Sequence, residues 1–201
     1  MIIGLIGNEH VGKDTIANYL CKIYNFRKYS LADPIKEIAK IIFNWNDHKL
    51  NGKLKDLEDE ETGIVPRDFF KWLGTDIFQY TIHKKFPDLK IPERKIWANC
   101  MRQFIEIYCS NSNIVIPDIR FKHEAEEIIN SGGFLIYIER DSEFSDNYEI
   151  LELLNETNPE TDESWIFDTI VNDMGYDELY TKVEKIIKKI EKRNEQLINN
   201  M

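Results

Sequence analysis

The sequence predicts an α/β fold of three layers, with one sheet of five parallel strands between helices. Three observations predict it. Short apolar runs at residues 1–6, 113–117 and 134–138 are nearly continuous, the pattern of strands buried on both faces. Between such runs, apolar residues recur at helical spacing, so strand and helix alternate along the chain. No internal repeat and no linker rich in proline, glycine or serine divides the 201 residues. We therefore expect a single domain over residues 1–201 that carries a helical insertion at residues 46–110 and a lid-like segment at residues 140–165.

The elements follow in order. After the first strand comes a glycine-bounded loop, then a helix at residues 15–24 with Ile16, Ala17, Leu20 and Ile23 on one side. Residues 27–31 form a plausible second strand. Asp33 and Pro34 then start a helix, Asp as N-cap and Pro at the first helical position, with Ile35, Ile38, Ala39 and Ile42 on one face. Residues 46–63 are polar, with Asp56, Glu58, Asp59, Glu60 and Glu61 clustered, and read as an exposed insertion. Pro66 opens a helix carrying Phe69, Phe70, Leu73 and Ile77, and another is expected over residues 92–109. A third strand at residues 113–117 leads to a helix at 121–131 that Gly132 and Gly133 end. After the fourth strand, residues 141–164 are acidic and lack an apolar stripe. A fifth strand at 167–171 and a lysine-rich last helix complete the chain.

Composition narrows the function. With 42% hydrophobic and 31% charged residues, the chain is too apolar for disorder. A net charge of -10 would repel a nucleic acid polymer, although a few bases in a pocket can still hold a small phosphorylated molecule. The three cysteines, Cys21, Cys100 and Cys109, have no metal-ligand spacing, and their odd number fits reduced thiols in a cytoplasm. No signal peptide and no membrane-spanning run is read, so neither secretion nor membrane insertion is expected.

Residues 7–15 read GNEHVGKDT: Gly7, four residues, then Gly12-Lys13, directly after a strand and before a helix. That is the setting of a P-loop. Glycines let the backbone curl so that its N–H groups point inward, the helix N-terminus adds positive potential, and Lys13 reaches the β- and γ-phosphates of a nucleotide. The cofactor-binding set is thus Gly7, His10, Val11, Gly12, Lys13, Asp14 and Thr15, with His10 shaping the turn. Asp14 stands where Ser or Thr is usual. Either its carboxylate acts on or near a magnesium ion, or Thr15 takes over part of that role.

In open α/β sheets ligands collect beyond the C-terminal strand ends. Those ends carry Asp33, Asp118 with Arg120, Arg140, and Asn172 with Asp173. Asp118 closes a strand like the one whose terminal Asp holds Mg²⁺, although it would serve equally as a helix cap. Arg120 and Arg140, with Arg67 at a helix start, suit bidentate contact with phosphate.

The ordered set GNEHVGKDT, Leu31-Ala32-Asp33-Pro34-Ile35-Lys36, Arg67 through Leu73-Gly74-Thr75-Asp76, Trp97, Pro117-Asp118-Ile119-Arg120-Phe121, and Gly132-Gly133 before Arg140 resembles the deoxynucleoside monophosphate kinases of phages and large DNA viruses. The resemblance implies a P-loop NTPase fold, ATP as donor, Mg²⁺, and a deoxynucleoside monophosphate as acceptor. It implies Lys13, Arg67, Arg120, Arg140 and Asp33 as catalytic residues. Arg67 and Arg120 would clamp the acceptor phosphate, Arg140 would act as an arginine finger from the lid, and Asp33 would orient the acceptor. Asp14, Thr15 and Asp118 would surround the metal, and Asn172 would border the nucleotide. The protein would work in the cytoplasm, that of the host if it is viral. The acidic residues 46–63 and the acidic lid depart from the resemblance.

Phe69, Phe70, Trp72 and Phe78 could stack on an acceptor base, although helical spacing makes most of them core residues. Rival readings are another small-molecule P-loop kinase, resembling phosphomevalonate or gluconate kinases, and a nucleotide-binding switch. Dimerisation through the long helices is an open option that nothing in the sequence requires.

Overall fold

Apolar strands are buried only if helices cover both faces of their sheet, and the chain alternates accordingly. The computed structural model describes residues 1–140, 148–157, 164–173 and 175–199. In chain order the elements are β1 (Ile2–Ile6), α1 (Lys13–Tyr24), β2 (Arg27–Lys28), α2 (Asp33–Phe43), α3 (Asp47–Leu50), a 3₁₀ turn (Lys53–Asp56), α4 (Pro66–Lys71), a π-helical stretch (Trp72–Thr81), α5 (Ile82–Lys85), α6 (Ile96–Tyr108), β3 (Ile114–Ile119), α7 (Lys122–Asn130), β4 (Phe134–Glu139), α8 (Tyr148–Leu154), β5 (Ile166–Val171) and α9 (Tyr176–Asn199). They form two compact units, one of Met1–Tyr29 with Ile105–Met201, the other of Ser30–Phe104.

The first unit holds the sheet, in the order β2-β3-β1-β4-β5 with every pair parallel. The five residues of β1 are all buried, as a central strand requires. Alternate residues serve opposite faces. Ile3, Leu5, Val115, Ile136, Ile138 and Ile170 pack with Ile16, Ala17 and Leu20 of α1 and with Leu179, Val183, Ile186, Ile187 and Ile190 of α9. Burying each such side chain is worth roughly 1.5–3 kcal/mol, so the strand that delivers the P-loop is firmly anchored in the unit. On the opposite face Gly4 makes room for Leu135 and for Ile128 of α7. Tyr19 of α1 donates to Glu184 of α9 at 2.7 Å and stacks on Tyr180 with ring centroids 4.0 Å apart. That bond to Glu184 pushes the Tyr19 hydroxyl up to about 12.

Two strand boundaries differ from expectation. β2 is only two residues long, because it is an edge strand with Arg27 exposed, although Tyr29 still donates its N–H to Val115 at 3.0 Å. β3 runs on to Ile119, so Asp118 lies inside the strand and does not cap the next helix. Arg120 and Phe121 alone turn the chain into α7. In the acidic region α8 buries Ile150 and Leu153, a short apolar pair three residues apart. Within the expected lid at 140–165, residues 141–147 and 158–163 lie outside the described residues.

The second unit is helical. Its helical run from Pro66 to Lys85 passes through ten residues of π-helix, where the wider turn frees carbonyls from the α pattern. The carbonyl of Gly74 is taken up by the indole N–H of Trp97 at 2.8 Å, and any Cβ at Gly74 would lie 2.7 Å from Ile35. Arg94, in a left-handed turn with φ 65°, delays α6 until Ile96.

Residues 46–63 are only partly the exposed insertion expected. Glu58, Glu60 and Glu61 are exposed, but Asp59 is buried. Its carboxylate accepts from the Trp45 indole at 3.0 Å and the Thr62 hydroxyl at 2.8 Å, and it pairs with Lys49. Trp45 in turn packs on Phe43 and Phe69, with ring centroids 4.6 and 5.8 Å away. These bonds, led by that to Lys49, hold the Asp59 carboxyl down at about 2. Its stabilising contribution is therefore complete above the ordinary aspartate value and is lost as pH falls through about 2. Asp59→Ala leaves a buried indole N–H and a half-buried ammonium without their acceptor, and should lower the thermal midpoint by roughly 10 °C. Circular dichroism melts of the two proteins check this.

Candidate active site

β1 and β3 are neighbours, but the chain leaves β1 toward β2 and leaves β3 toward β4, on the other side. Their C-terminal ends thus flank a crevice of the kind that collects ligands in parallel sheets. The first crevice wall is the loop of residues 7–12. Gly7 has φ 148° and Gly12 φ 107°, values that favour glycine, and His10 also adopts a left-handed conformation at φ 64°. Asn172, directly after β5, donates its carboxamide N–H to the Val11 carbonyl at 2.7 Å. Its contact is with the loop backbone, which it braces.

Lys13 opens α1, and its ammonium donates to the carbonyls of Gly7 at 2.6 Å and Asn8 at 2.5 Å. Burial and the nearby Arg120 guanidinium hold it below its ordinary value, partly offset by Asp14, Glu9 and Asp118. These two cations and three carboxylates therefore share one electrostatic environment. Arg120 also pairs with Glu9 at 3.9 Å, and Arg140, following β4, donates to the His10 carbonyl at 3.5 Å. The first unit thus gathers Lys13, Asp14, Thr15, Asp118, Arg120, Arg140 and Asn172 around the loop and the adjacent strand ends.

Sequence reasoning missed three participants. Lys28, at the end of β2, pairs with Asp14 at 2.6 Å and offsets the carboxylate that stands where a hydroxyl is usual. Nothing local marks it, because the pairing crosses from one element to another. Glu9 neutralises part of Arg120. Glu124, in the first turn of α7, is buried and accepts from the N–H groups of Arg120 and Phe121 at 2.8 and 3.0 Å. Burial pushes its carboxyl up to about 7, against the pull of those amides. A capping-box search overlooks it because the N-cap is Phe121 and not Ser or Thr.

Asp14, Thr15 and Asp118 offer the hard oxygen donors that a small divalent cation takes with phosphate oxygens. Asp14 is largely exposed, and one of its oxygens engages Lys28; among the described residues no three His, Cys, Asp or Glu side chains group as a metal site.

Asp33 and Arg67 belong to the second unit. Asp33 is not the N-cap of α2, which is Ala32. It stands one residue inside, and its carboxylate accepts the Ser30 N–H at 2.8 Å, tightening the turn into the helix. A cavity of about 180 Å³ within this unit has Asp33, Lys36, Trp45, Asn46 and Asn51 in its wall. Arg67 makes a two-point pair with Asp56, one arm through Nη2 at 3.2 Å, and this pair holds the Asp56 carboxyl below its usual range. Of the aromatic candidates in this unit, Phe69 is core, Phe78 packs edge-on to Trp97 at 5.1 Å, and Trp72 is half exposed.

Among the described residues no helix is long and apolar enough to cross a membrane. Among solved structures, a dephospho-CoA kinase from Campylobacter jejuni aligns with 96% of this chain and 98% of its own at 18% identity and a TM-score of 0.47. A shikimate kinase from Aquifex aeolicus aligns with 96% of this chain and 98% of its own at 14% identity and a TM-score of 0.41. In sequence, a protein of Acanthamoeba polyphaga mimivirus, provisionally named a deoxynucleotide monophosphate kinase, is 32% identical over 153 residues, 73% of this chain and 78% of that protein. The profile of the family described as deoxynucleotide monophosphate kinase matches residues 1–64 and 57–183. With its phosphate loop on the central strand of a five-stranded parallel sheet, the chain has the P-loop NTPase fold and belongs to the deoxynucleotide monophosphate kinase family.

Proposed function

We propose that the enzyme transfers the γ-phosphoryl group of ATP to the phosphate of a deoxynucleoside monophosphate, giving ADP and the deoxynucleoside diphosphate. The observation that carries this reading is the grouping of Lys13, Arg120 and Arg140 at the loop and the strand ends beside it. Transfer between two polyanions is a problem of positioning and charge neutralisation, and three cations around one crevice address both.

Each of these groups rests on an internal oxygen: Lys13 on Gly7 and Asn8, Arg120 on Glu9, Arg140 on His10. Phosphate oxygens are stronger acceptors than the carbonyls and replace them on binding. Lys13 and the loop amides then hold the donor's β- and γ-phosphates. Arg120 takes the acceptor phosphate, and Arg67 is a further candidate for phosphate contact once a phosphate displaces Asp56 from it. Arg140 stabilises charge on the transferring group, and Asp33 orients the acceptor. Asn172 keeps the loop in register through Val11. Magnesium, held by Thr15 and Asp118 with Asp14, would supply further neutralisation of the donor phosphates. The acceptor phosphate is ionised at neutral pH, so no strong general base is needed.

A coupled ADP-release assay across the common ribo- and deoxynucleoside monophosphates tests this. ADP release with one or more deoxynucleoside monophosphates is expected. Turnover confined to a sugar acid or to mevalonate phosphate would favour the other small-molecule kinases. Tight nucleotide binding with slow hydrolysis and no acceptor would point to a switch.

A further inference from the structure

We propose that Glu124 is a positioning residue for phosphoryl transfer, fixing from beneath the turn between β3 and α7 the backbone that presents Arg120. The inference rests on the reading of Arg120 as a phosphate-binding group. Three features of the site carry it. First, the carboxylate spans the turn: a single oxygen, Oε2, accepts the N–H of both Arg120 and Phe121. Second, the N-cap position cannot do this work itself, because the side chain of Phe121 has no acceptor, so the turn depends on the residue three positions later. Third, Glu124 is only 5% exposed, whereas a carboxylate serving as a simple helix cap gains nothing from burial.

The consequence is a stiff mount for a long side chain. Arg120 itself is exposed, and among the described residues the charged partner of its guanidinium is Glu9, at 3.9 Å. The direction in which that side chain leaves the backbone follows from the φ and ψ of the turn, and Glu124 holds the Arg120 amide there. A displacement of about 1 Å at a phosphate clamp is enough to slow transfer on the order of a hundredfold.

The experiment is steady-state kinetics on five full-length variants, Glu124→Gln, Glu124→Asp, Glu124→Ala, Arg120→Ala and the Glu124→Ala/Arg120→Ala double, with melts to confirm folding. Gln keeps an oxygen at the same reach, so Glu124→Gln should stay within about threefold of the parent. Asp falls one methylene short, and Glu124→Asp should lose roughly tenfold in kcat with a raised KM for the acceptor. Glu124→Ala should lose roughly 30-fold or more, yet weaken the Arg120→Ala background by less than about threefold, because the group it aims is gone. The KM for ATP should hold within about twofold throughout. If Glu124→Ala does not fold, Glu124→Asp decides, and parent-like kinetics there overturn the proposal. An impaired Arg120→Ala whose defect multiplies with that of Glu124→Ala overturns the role of Glu124 alone. Parent-like turnover in Arg120→Ala overturns the reading of Arg120 and the proposal with it.

Discussion

Lys13→Ala should lower kcat for phosphoryl transfer by about a thousandfold or more and leave the fold intact. The ammonium sits at the first residue of α1, half buried, against the Gly7 and Asn8 carbonyls. It is the only lysine of the loop, and in the proposed reaction it meets the charge that develops on the transferring group. If, as proposed, Arg120 serves the acceptor side, removing Lys13 costs transition-state stabilisation that Arg120 does not replace. Stability responds differently. Burial and Arg120 already hold the ammonium below its ordinary value, which means that the fold disfavours the charged form. Deleting the charge relieves that penalty and offsets the loss of two hydrogen bonds to the Gly7 and Asn8 carbonyls. The melting temperature should therefore change by no more than a few degrees. Single-turnover kinetics with saturating ATP, beside a melt, separate the two effects. Turnover like that of the parent would refute the assignment of the loop.

The sheet was legible because its inner strands are continuously apolar: Ile2 to Ile6, Ile114 to Ile116 and Leu135 to Ile138 have no other stable place. The edge was less legible. β2 needs only two residues of pairing, and its charged sequence carries no apolar signal. The loop was legible because glycine spacing and the strand–helix setting are local. The partners of its charges were not, because Lys28 reaches Asp14 and Asp56 reaches Arg67 only once the chain has folded. Composition misled at Asp59, where an acidic run read as solvated conceals one carboxylate under Trp45 and Lys49. A helical period was readable after Pro66, but not that residues 72–81 would widen to a π turn, nor that Trp97 would take the Gly74 carbonyl from another helix.

Gly7→Ala should both destabilise the protein and disable the loop, and the reason lies in β4. At φ 148° an alanine is strained wherever it stands, at about 1–3 kcal/mol. Its Cβ would also lie 2.4 Å from the carbonyl oxygen of Ile138. That oxygen belongs to the backbone of a paired strand, with Ile6 opposite Tyr137, so it cannot withdraw without parting β1 from β4. Strain and overpacking together should amount to roughly 3–5 kcal/mol, a fall of about 10 °C in the thermal midpoint. Gly12→Ala makes a useful contrast. There the Cβ would meet the carboxamide nitrogen of Asn172 at 2.7 Å, the movable end of a side chain. Asn172 can swing away at the expense of its bond to Val11, so Gly12→Ala should melt closer to the parent while still losing activity. Calorimetry and kcat on the two variants distinguish these cases. If Gly7→Ala melts like the parent, the loop does not leave β1 through a close approach to the Ile138 backbone.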